Sequence, residues 1–453
     1  MAHITIIGAG IAGLKAALDI ARHEHKVTLV EARHRLGGRI YTTFASDGTT
    51  PLELGASFWE GMRHNPFYQY YFTENPAEKL KPRVVRLDNS LSTVFSPHQK
   101  ANKEILAFYH KAYQLLQTSP SLEGQTCQQF IDSLKFNTLS IAEYWTQKFI
   151  EYHLQHFNTS LELRGFPSFF MPQDKEALEA WNDLDADFSF VANGYDNVIK
   201  QLAMECQEKG VRILLNTQVM KINDFSENGI SLATRDGNIK ADKVIVTIPI
   251  GVLKNEAKNL FSPSLSAEKL QAIQTIGIHR GVRISLEFEV PFWGKQSAPY
   301  LFLDLPQYSN LIEFRNHFPV HGKAILQTDK YTTLAEHYFQ QFANDKLSAE
   351  KEIVAHIMAD LKSAYPNQPI ADPKYVIYNW SADPFAKGAY PFRTKDINEH
   401  LQQALEQPQG NIYFAGADFS RHGFSVHNGY ANGKKIAEQL TNTLHHSTTE
   451  FTL

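Results

Sequence analysis

A glycine-rich turn near the start of the chain constrains the fold more than any other feature. His3–Ile7 read as a short apolar strand, an alanine-rich helix is predicted to run to about His23, and Val27–Val30 read as a second strand. The turn between the first strand and the helix carries Gly8, Gly10 and Gly13. Because a strand, turn and helix in this order direct backbone N–H groups at a pyrophosphate, the segment predicts a Rossmann-like unit that binds a dinucleotide.

The geometry of such a turn assigns a role to each residue. The first glycine allows the tight turn, the second lets the pyrophosphate approach the backbone, and the third lets the helix pack closely on the strand. Ile11 and Ala12 begin the helix, so their N–H groups are expected to face the phosphates. Glu31 follows the second strand and is placed to bind the two hydroxyls of a ribose.

The residues after the acidic position separate FAD from a nicotinamide cofactor. The segment Ala32–Arg39 ends in a second glycine pair followed by arginine. Such residues offer further N–H groups and a cation to a diphosphate, an extension typical of FAD-binding proteins and uncommon in NAD dehydrogenases. We therefore predict bound FAD, with a nicotinamide cofactor as the alternative. The predicted contacts in this segment are Ala32, Arg33, Gly37, Gly38 and Arg39.

Length and composition fit a large enzyme. The chain has 453 residues, enough for two domains with separate cores. Its net charge of −4 is close to neutral for this size and argues against nucleic acid as a partner. No apolar run of about 20 residues predicts a membrane span, and the first strand begins too early for a secretory signal, so a cytoplasmic protein without a membrane is expected.

Cysteine and histidine usage predicts no metal site. Cys127 and Cys206 lie far apart and without metal-ligand spacing, so buried or unreactive thiols are expected. The 19 histidines include no His-Glu-x-x-His pattern and no cluster with cysteine. His153 and His156 share a helix face, but no carboxylate pattern accompanies them.

The order of the elements predicts an α/β fold of two domains built from interleaved segments. Residues 65–188 are predicted to be largely helical, with amphipathic stretches at Asn102–Leu116 and Ile141–His156. Strand signals return in the middle of the chain, and Ile412–Phe414 is a last strand before a closing helix. We expect a Rossmann-like FAD-binding domain of residues 1–62, 190–280 and 391–453, and a mixed sheet-and-helix substrate domain of residues 63–189 and 281–390.

Six further blocks match the motifs of one enzyme family. They are Asn193–Tyr195, Val211–Val219, Thr247–Lys254, Phe261–Lys269, Trp380–Tyr390 and Phe414–Asp418. Together they resemble the flavin-containing amine oxidases, which include polyamine oxidases, monoamine oxidases and lysine-specific histone demethylases. The stretch from about Phe67 to Asp187 lies outside the resemblance. The FAD contacts that the resemblance implies in these blocks are Val219, Thr247, Trp380, Tyr390, Gly416 and Asp418.

The resemblance implies an FAD-dependent amine oxidase. In the family's reaction a hydride equivalent passes from the carbon beside the amine nitrogen to flavin N5, the resulting imine hydrolyses, and O2 reoxidises the flavin to give hydrogen peroxide. A low-dielectric aromatic pocket helps because desolvation disfavours the ammonium form of the substrate. The expected partners are a small amine and O2, and the oligomeric state, monomer or homodimer, is left open.

Two walls of the active site are implied by the resemblance. Tyr390 matches the aromatic wall beside the flavin, whose π face can orient an amine, with an ordinary core tyrosine as the alternative. Ala389 stands where monoamine oxidases carry the cysteine bonded to the flavin, so the FAD is expected to be non-covalent. Ser425 stands where those enzymes have a second tyrosine. Ser425 and Val426 are implied as FAD contacts, and the helix expected to begin at about Asn428 should direct its N–H groups at the flavin C2 carbonyl.

Glu60 and Arg283 are candidates for substrate binding and oxygen chemistry. Glu60 matches a position that carries glutamate or histidine in polyamine oxidases and could hold a second ammonium group, with a structural glutamate as the alternative. The same block supplies further FAD contacts at Gly55, Ala56 and Ser57. Arg283 lies ten residues before Trp293, where the family usually has a lysine that contacts flavin N5 through a water. Because arginine does not readily release its proton, altered oxygen reactivity is expected, with a strand arginine paired to a carboxylate as the alternative.

Two other functions are kept as alternatives. An L-amino acid oxidase of the same superfamily would need a cation for the substrate carboxylate, usually an arginine directly after the Gly55–Ala56 pair. Here Ser57 follows that pair, and Arg63 comes too late. The second alternative is a flavoprotein that has lost catalysis and serves as a binding or regulatory module, and only Arg283 supports it. Reduction of the bound flavin by an amine without oxygen would separate these alternatives from an amine oxidase.

Overall fold

The computed structural model describes twelve stretches of the chain. They are residues 1–60, 65–71, 83–86, 92–96, 102–118, 125–136, 140–154, 188–224, 229–294, 296–308, 310–421 and 423–449. His156 and Arg63 lie outside these residues, as does the side chain of His153.

A parallel five-stranded sheet forms the centre of the first structural unit. Its order is β22-β13-β1-β2-β9, and every neighbouring pair is parallel. These strands are β1 (His3–Ile7), β2 (Lys26–Val30), β9 (Arg212–Leu214), β13 (Lys243–Val246) and β22 (Ile412–Phe414). Each is short and apolar, as expected for strands buried on both faces.

Helices cover one face of this sheet, and a smaller sheet with further helices covers the other. The first face packs on α1 (Ile11–Arg22), α6 (Asp196–Glu208) and α13 (Val426–Thr449). The second face packs on β10 (Lys221–Asp224), β11 (Ile230–Thr234), β12 (Gly237–Ala241), β14 (Phe261–Ser262), α7 (Ile250–Leu260), α8 (Ala267–Thr275) and α12 (Glu399–Glu406). Side chains alternate between the two cores, since Ile245 faces the first and Val244 and Val246 face the second.

A six-stranded sheet organises the second structural unit. Its order is β20-β16-β19-β18-β17-β7, antiparallel except for the last pair. The strands are β7 (Thr93–Phe95), β16 (Val282–Glu287), β17 (Tyr300–Leu303), β18 (Ile312–Asn316), β19 (Ile325–Thr328) and β20 (Lys374–Asn379). The surrounding helices are α3 (Asn102–Thr118), α4 (Cys127–Ser133), α5 (Ile141–Leu154), α9 (Phe318–His321), α10 (Thr332–Gln341) and α11 (Lys346–Ala364).

Three small pieces of sheet lie beside the two main sheets. They are the hairpin β3 (Thr42–Phe44) and β4 (Pro51–Glu53), the trio β5 (Phe58–Glu60), β8 (Phe188–Val191) and β6 (Val84–Arg86), and the ribbon β15 (Gly277–Ile278) and β21 (Pro391–Phe392). A four-residue helix, α2 (Pro66–Gln69), follows β5.

The predicted mixed α/β fold is confirmed. Two of the strands, β6 and β7, interrupt the stretch expected to be largely helical. Each has three residues and forms only by pairing with a distant strand, β8 or β17, so local periodicity did not reveal them. The domain boundaries named from the sequence stay a prediction.

The described residues give three further findings, on cysteines, metals and membranes. Cys127 and Cys206 are both buried and are not joined in a disulfide, and burial raises the pKa of Cys206 to about 12. Within the stretches the structure describes, no group of three or more His, Cys, Asp or Glu could hold a metal ion. Among the same residues, no helix combines the length and the apolar character that crossing a membrane requires.

A buried glutamate connects the β3–β4 hairpin to α6. One carboxylate oxygen of Glu53 accepts from the Tyr195 N–H at 2.8 Å, and the other accepts from the Thr42 hydroxyl at 2.8 Å. Burial raises the pKa of this carboxyl from its ordinary value of 4.5 to about 8. The folded protein therefore holds a proton on Glu53 at neutral pH, where the unfolded chain does not.

Replacing Glu53 with glutamine is expected to flatten the pH dependence of stability. The raised pKa makes the free energy of unfolding of the natural protein fall as pH rises from about 4.5 to about 8. This loss amounts to several kcal/mol, since one pKa unit corresponds to about 1.4 kcal/mol. A glutamine side chain stays neutral throughout this pH range, so the variant should not lose stability in this way. Urea unfolding near pH 5.5 and near pH 8.5 measures the difference; parallel pH profiles for the two proteins would contradict it.

Candidate functional site

The turn between β1 and α1 is packed too tightly for side chains at two of its glycines. Gly8 has a φ of +108°, and a Cβ there would overlap the Thr247 hydroxyl. A Cβ on Gly13 would overlap the carbonyl oxygen of Gly8. Thr247 donates to the Ile7 carbonyl at 2.8 Å, so its hydroxyl holds the turn itself. The sequence predictions for these glycines are consistent with this geometry.

The first turn of α1 is open to an anion. Gly10 is the N-cap, and among the described residues no side chain caps the helix. A Cβ on Gly10 would have the carbonyl oxygen of Gly37, at 3.9 Å, as its nearest described neighbour. Gly37 also donates its N–H to the Ala9 carbonyl at 2.9 Å, which brings the second glycine pair beside the first turn. Uncapped N–H groups at Ile11 and Ala12 and free space above Gly10 fit the diphosphate of FAD.

Replacing Gly10 with alanine is expected to weaken FAD binding at least about tenfold without loss of apoprotein stability, because a methyl group would occupy the space of the phosphate. The φ of −77° at Gly10 is open to any residue, so the backbone is unstrained. Titration of apoprotein with FAD, followed by flavin fluorescence, measures the affinity. Gly13→Ala is the matched control, and it should destabilise the apoprotein itself. Unchanged affinity in Gly10→Ala would place the diphosphate elsewhere.

Glu31 is oriented by two backbone donors. Its carboxylate accepts from the Ala9 N–H at 2.8 Å and from the Arg33 N–H at 2.9 Å. The side chain is buried, and each oxygen keeps capacity for another hydrogen bond. This arrangement fits the predicted contact with a ribose hydroxyl pair. Ala32, the next residue, is half-buried at the same edge.

The Arg33 guanidinium contacts a distant block of the chain. It makes a bidentate pair with Asp383, with both N–O distances at 2.7 Å, and it lies over the Phe385 ring. Burial opposes the charged form, but the bonds to Asp383 raise the pKa of Arg33. The side chain therefore ties the segment after Glu31 to the Trp380–Tyr390 block, and the backbone N–H of Arg33 donates to the Glu31 carboxylate.

Arg39 connects three of the sequence blocks. Its guanidinium donates to the Ala389 carbonyl at 3.1 Å and pairs with Asp418. The other oxygen of Asp418 accepts from the Ile250 N–H at 2.9 Å. Both oxygens of the predicted cofactor carboxylate are thus bound by protein groups. Gly38, with a φ of +59°, precedes Arg39 beside the turn.

The Gly55–Ala56 segment lies directly on this connection. A Cβ on Gly55 would overlap the Arg39 carbonyl oxygen, which also accepts from the Ala56 N–H at 3.1 Å. Trp380 is buried against Gly55 and donates its indole N–H to the Leu54 carbonyl at 2.6 Å. The cofactor segments and the Trp380–Tyr390 block therefore form one packed surface.

The remaining cofactor candidates lie at the ends of strands and at one helix. Val219 is buried just before β10. Gly416 has a φ of +132° and donates its N–H to the Asn432 amide at 2.8 Å. No motif marked Asn432, which lies in the second turn of α13. Its role follows only from the packing of that helix on β22.

The start of α13 carries a small polar cluster. The Ser425 hydroxyl lies 2.8 Å from Nδ1 of His427 and accepts from the Asn428 amide at 2.9 Å. Burial lowers the pKa of His427 to about 4, so the imidazole is neutral at physiological pH. The helix begins at Val426, two residues before Asn428, where the sequence predicted its start.

Arg283 is a buried strand arginine with several partners. Its guanidinium donates to the Gly55 carbonyl at 3.1 Å, to Gln327 at 3.1 Å and to the Ser57 hydroxyl at 3.4 Å. It also lies 3.7 Å from the Asp329 carboxylate. The structure therefore shows the arrangement expected under the alternative, a strand arginine beside a carboxylate. The bonds to Gly55 and Ser57 also bring Arg283 to the Gly55–Ser57 segment.

A second buried arginine, Arg315, converges on the same serine. It donates to Ser57 at 3.1 Å and pairs with Asp329 at 2.6 Å and with Glu313 at 3.1 Å. Burial raises the pKa of Glu313. The sequence carried no signal for Arg315 or Asp329, because only the register of β16, β18 and β19 brings them together.

Tyr390 precedes β21 and is half-buried. The carbonyl of the preceding Ala389 accepts from Arg39, which places Tyr390 beside the FAD-binding segments. Glu60 ends β5, where its backbone is paired with β8. Its side chain lies outside the part of the chain that the structure describes, so its substrate contact stays a prediction.

Comparison with known proteins agrees with this arrangement. The family model of flavin containing amine oxidoreductase matches residues 11–441. The chain is 27% identical to probable polyamine oxidase 4 of Arabidopsis thaliana over 96% of its length and 86% of the relative. It is 27% identical to polyamine oxidase 4 of Oryza sativa subsp. japonica over 96% and 88%. Lysine-specific histone demethylase 2 of Homo sapiens is 26% identical, and this chain covers 53% of it. The chain belongs to the flavin-containing amine oxidoreductases and is an FAD-dependent amine oxidase whose FAD is bound non-covalently.

Proposed function

We propose that the protein oxidises a polyamine, a diamine or a related amine to an imine, with O2 as the electron acceptor. The observation that carries this proposal is the connection made by Arg39, which bonds Asp418 and the carbonyl next to Tyr390. This connection supports a position for the Tyr390 ring beside the residues that fit FAD. When bound, FAD accepts the hydride equivalent from the substrate carbon and passes the electrons to O2.

The residues of this chain supply binding, orientation and exclusion of water. Tyr390 is proposed to orient the amine through its π face and to keep water from the reacting carbon. Glu60 is proposed to hold a second ammonium group at a distance from the flavin. Arg283 is proposed to place a permanent positive charge near the Gly55–Ser57 segment, and this charge is proposed to influence the rate at which O2 reoxidises the flavin.

A second candidate, oxidation of an amino acid, gains support from the paired arginines. Sequence reasoning found no cation directly after Gly55–Ala56. The structure brings Arg283 and Arg315 to Ser57 at that position, from a different part of the chain. Such a pair can bind a carboxylate, although Asp329 and Glu313 already balance much of its charge.

The test is reduction of the bound flavin without oxygen. Putrescine, spermidine, spermine, aromatic monoamines and L-amino acids are mixed anaerobically with the protein, and the flavin absorbance is followed. Fast bleaching by polyamines supports the proposal, and bleaching by amino acids alone supports the second candidate. Bleaching by none of them supports a binding module. In Glu60→Gln, polyamines should lose more affinity than monoamines, and equal losses would remove the role of Glu60.

A further inference from the structure

His279 lies between the FAD-binding segments and the second sheet, where no motif marked it. It follows β15 and its side chain is 0% exposed. Neither the cofactor fingerprint nor the proposed chemistry uses this residue. The segment that carries Tyr390 contacts it through both backbone and side chains.

The backbone places His279 directly opposite Tyr390. The His279 N–H donates to the Tyr390 carbonyl at 2.9 Å, and the Ala389 N–H donates to the His279 carbonyl at 2.9 Å. The β15–β21 ribbon pairs Gly277 with Phe392 and Ile278 with Pro391. Continuing that register by one step pairs position 279 with position 390, so the two side chains share one face of the ribbon.

The imidazole packs against two aromatic rings of the opposite strand. Its centroid lies 4.7 Å from the Tyr390 ring at an interplanar angle of 58°, and 4.7 Å from the Phe392 ring at 45°. These are close tilted contacts of the kind that fix ring orientation in a core. The ring of Tyr390 therefore has His279 as its neighbour on this face.

Three glycines allow the backbone of the ribbon to pack closely against its neighbours, which fixes its register. A Cβ on Gly277 would overlap the Phe392 ring, and a Cβ on Gly388 would overlap Ile278. A Cβ on Gly281 would lie 2.5 Å from the Cβ of Ala389. Because the backbone is held this closely on both sides, the remaining freedom of Tyr390 is rotation of its side chain, and the imidazole restricts that rotation.

We propose that His279 is a positioning residue that sets the orientation of the Tyr390 ring. The proposal rests on the proposed function, in which that ring is one wall of the amine site. In this proposal His279 acts on the reaction only through Tyr390, without touching the substrate or the flavin. Its loss should therefore slow flavin reduction only through Tyr390, and reoxidation by O2 should be unaffected.

A double-mutant cycle tests the proposal. His279→Ala is expected to slow anaerobic flavin reduction by the amine about tenfold or more, because small misplacements of an orienting group are costly. His279→Phe, which restores a ring, should recover most of the rate. In a Tyr390→Ala background, His279→Ala should have no further effect. Equal losses in both backgrounds would overturn the proposal, as would a Phe variant as slow as the Ala variant.

Ile276→Ala is the matched control. Ile276 is buried three residues earlier on the same segment, in the core of the first unit. The Ile276→Ala substitution should lower the stability of the protein without slowing flavin reduction. A loss equal to that of His279→Ala would show that the His279 effect is only structural.

A readout without substrate separates this proposal from the proposed function. Tyrosine near a flavin quenches its fluorescence, so the lifetime distribution of bound FAD reports the position of the Tyr390 ring. His279→Ala should broaden that distribution, and the change should vanish in the Tyr390→Ala background. An unchanged distribution overturns the positioning role. A changed distribution with no amine that reduces the flavin would overturn only the amine oxidase mechanism.

Discussion

Replacing Tyr390 with alanine is expected to slow flavin reduction by the amine about 100-fold, while FAD content stays the same. The ring is proposed to orient the substrate, and loss of orientation costs up to about this factor. Removing it also admits water, which favours the unreactive ammonium form. Anaerobic stopped-flow absorbance at saturating amine measures the rate.

Tyr390→Phe is the matched control for this prediction. If the π face orients the amine, phenylalanine should keep the rate within about threefold of the natural enzyme, since the ring is retained. A phenylalanine variant as slow as the alanine variant would assign the effect to the hydroxyl. An unchanged rate in Tyr390→Ala would remove Tyr390 from the active site.

Replacing Arg283 with lysine is expected to speed reoxidation of the reduced flavin by O2 about tenfold, or about 1.4 kcal/mol in the barrier. Negative charge develops on oxygen as it is reduced, and a compact ammonium stabilises that charge better than a delocalised guanidinium. Lysine also releases some of the bonds to Gly55, Gln327 and Ser57. Mixing pre-reduced enzyme with oxygenated buffer measures the rate.

Arg315→Lys is the control for position 283. Arg315 shares Ser57 and Asp329 with Arg283 and lies on the same face of the sheet. Arg315→Lys should lose stability, because the guanidinium bonds Glu313 and Asp329 through separate N–H groups in a buried setting, and a single ammonium is not expected to keep both bonds. Its reoxidation rate should not change. An unchanged rate in Arg283→Lys would place Arg283 outside the reactive site and leave it a structural arginine.

The cofactor contacts that are close in sequence were predictable. Gly8, Gly13 and Glu31 act within one strand-turn-helix-strand unit, where spacing along the chain determines spacing in the fold. The structure shows the strand-turn-helix-strand unit, and the cofactor contacts of these residues stay predictions. The motif around Trp380 was recognisable too, but its attachment through Asp383 to Arg33 was not, because the two residues are 350 positions apart.

Strand register decided the part of the site that motifs did not show. Arg283 and Arg315 meet at Ser57 because β16 and β18 carry them on one face of the same sheet, and a shift of one residue would turn either arginine to the other face. The pairing of His279 with Tyr390 has the same origin. No local pattern at either residue carries that information.

The amino-acid sequence alone therefore determined the cofactor and the enzyme family, because both depend on short motifs whose geometry is local. The tertiary structure decided what surrounds those motifs. It showed that Arg33 pairs with Asp383, that Arg39 pairs with Asp418, and that the His279 N–H donates to the Tyr390 carbonyl. These contacts join residues more than 100 positions apart in the chain, and only the packing of the two sheets brings such residues within hydrogen-bonding distance.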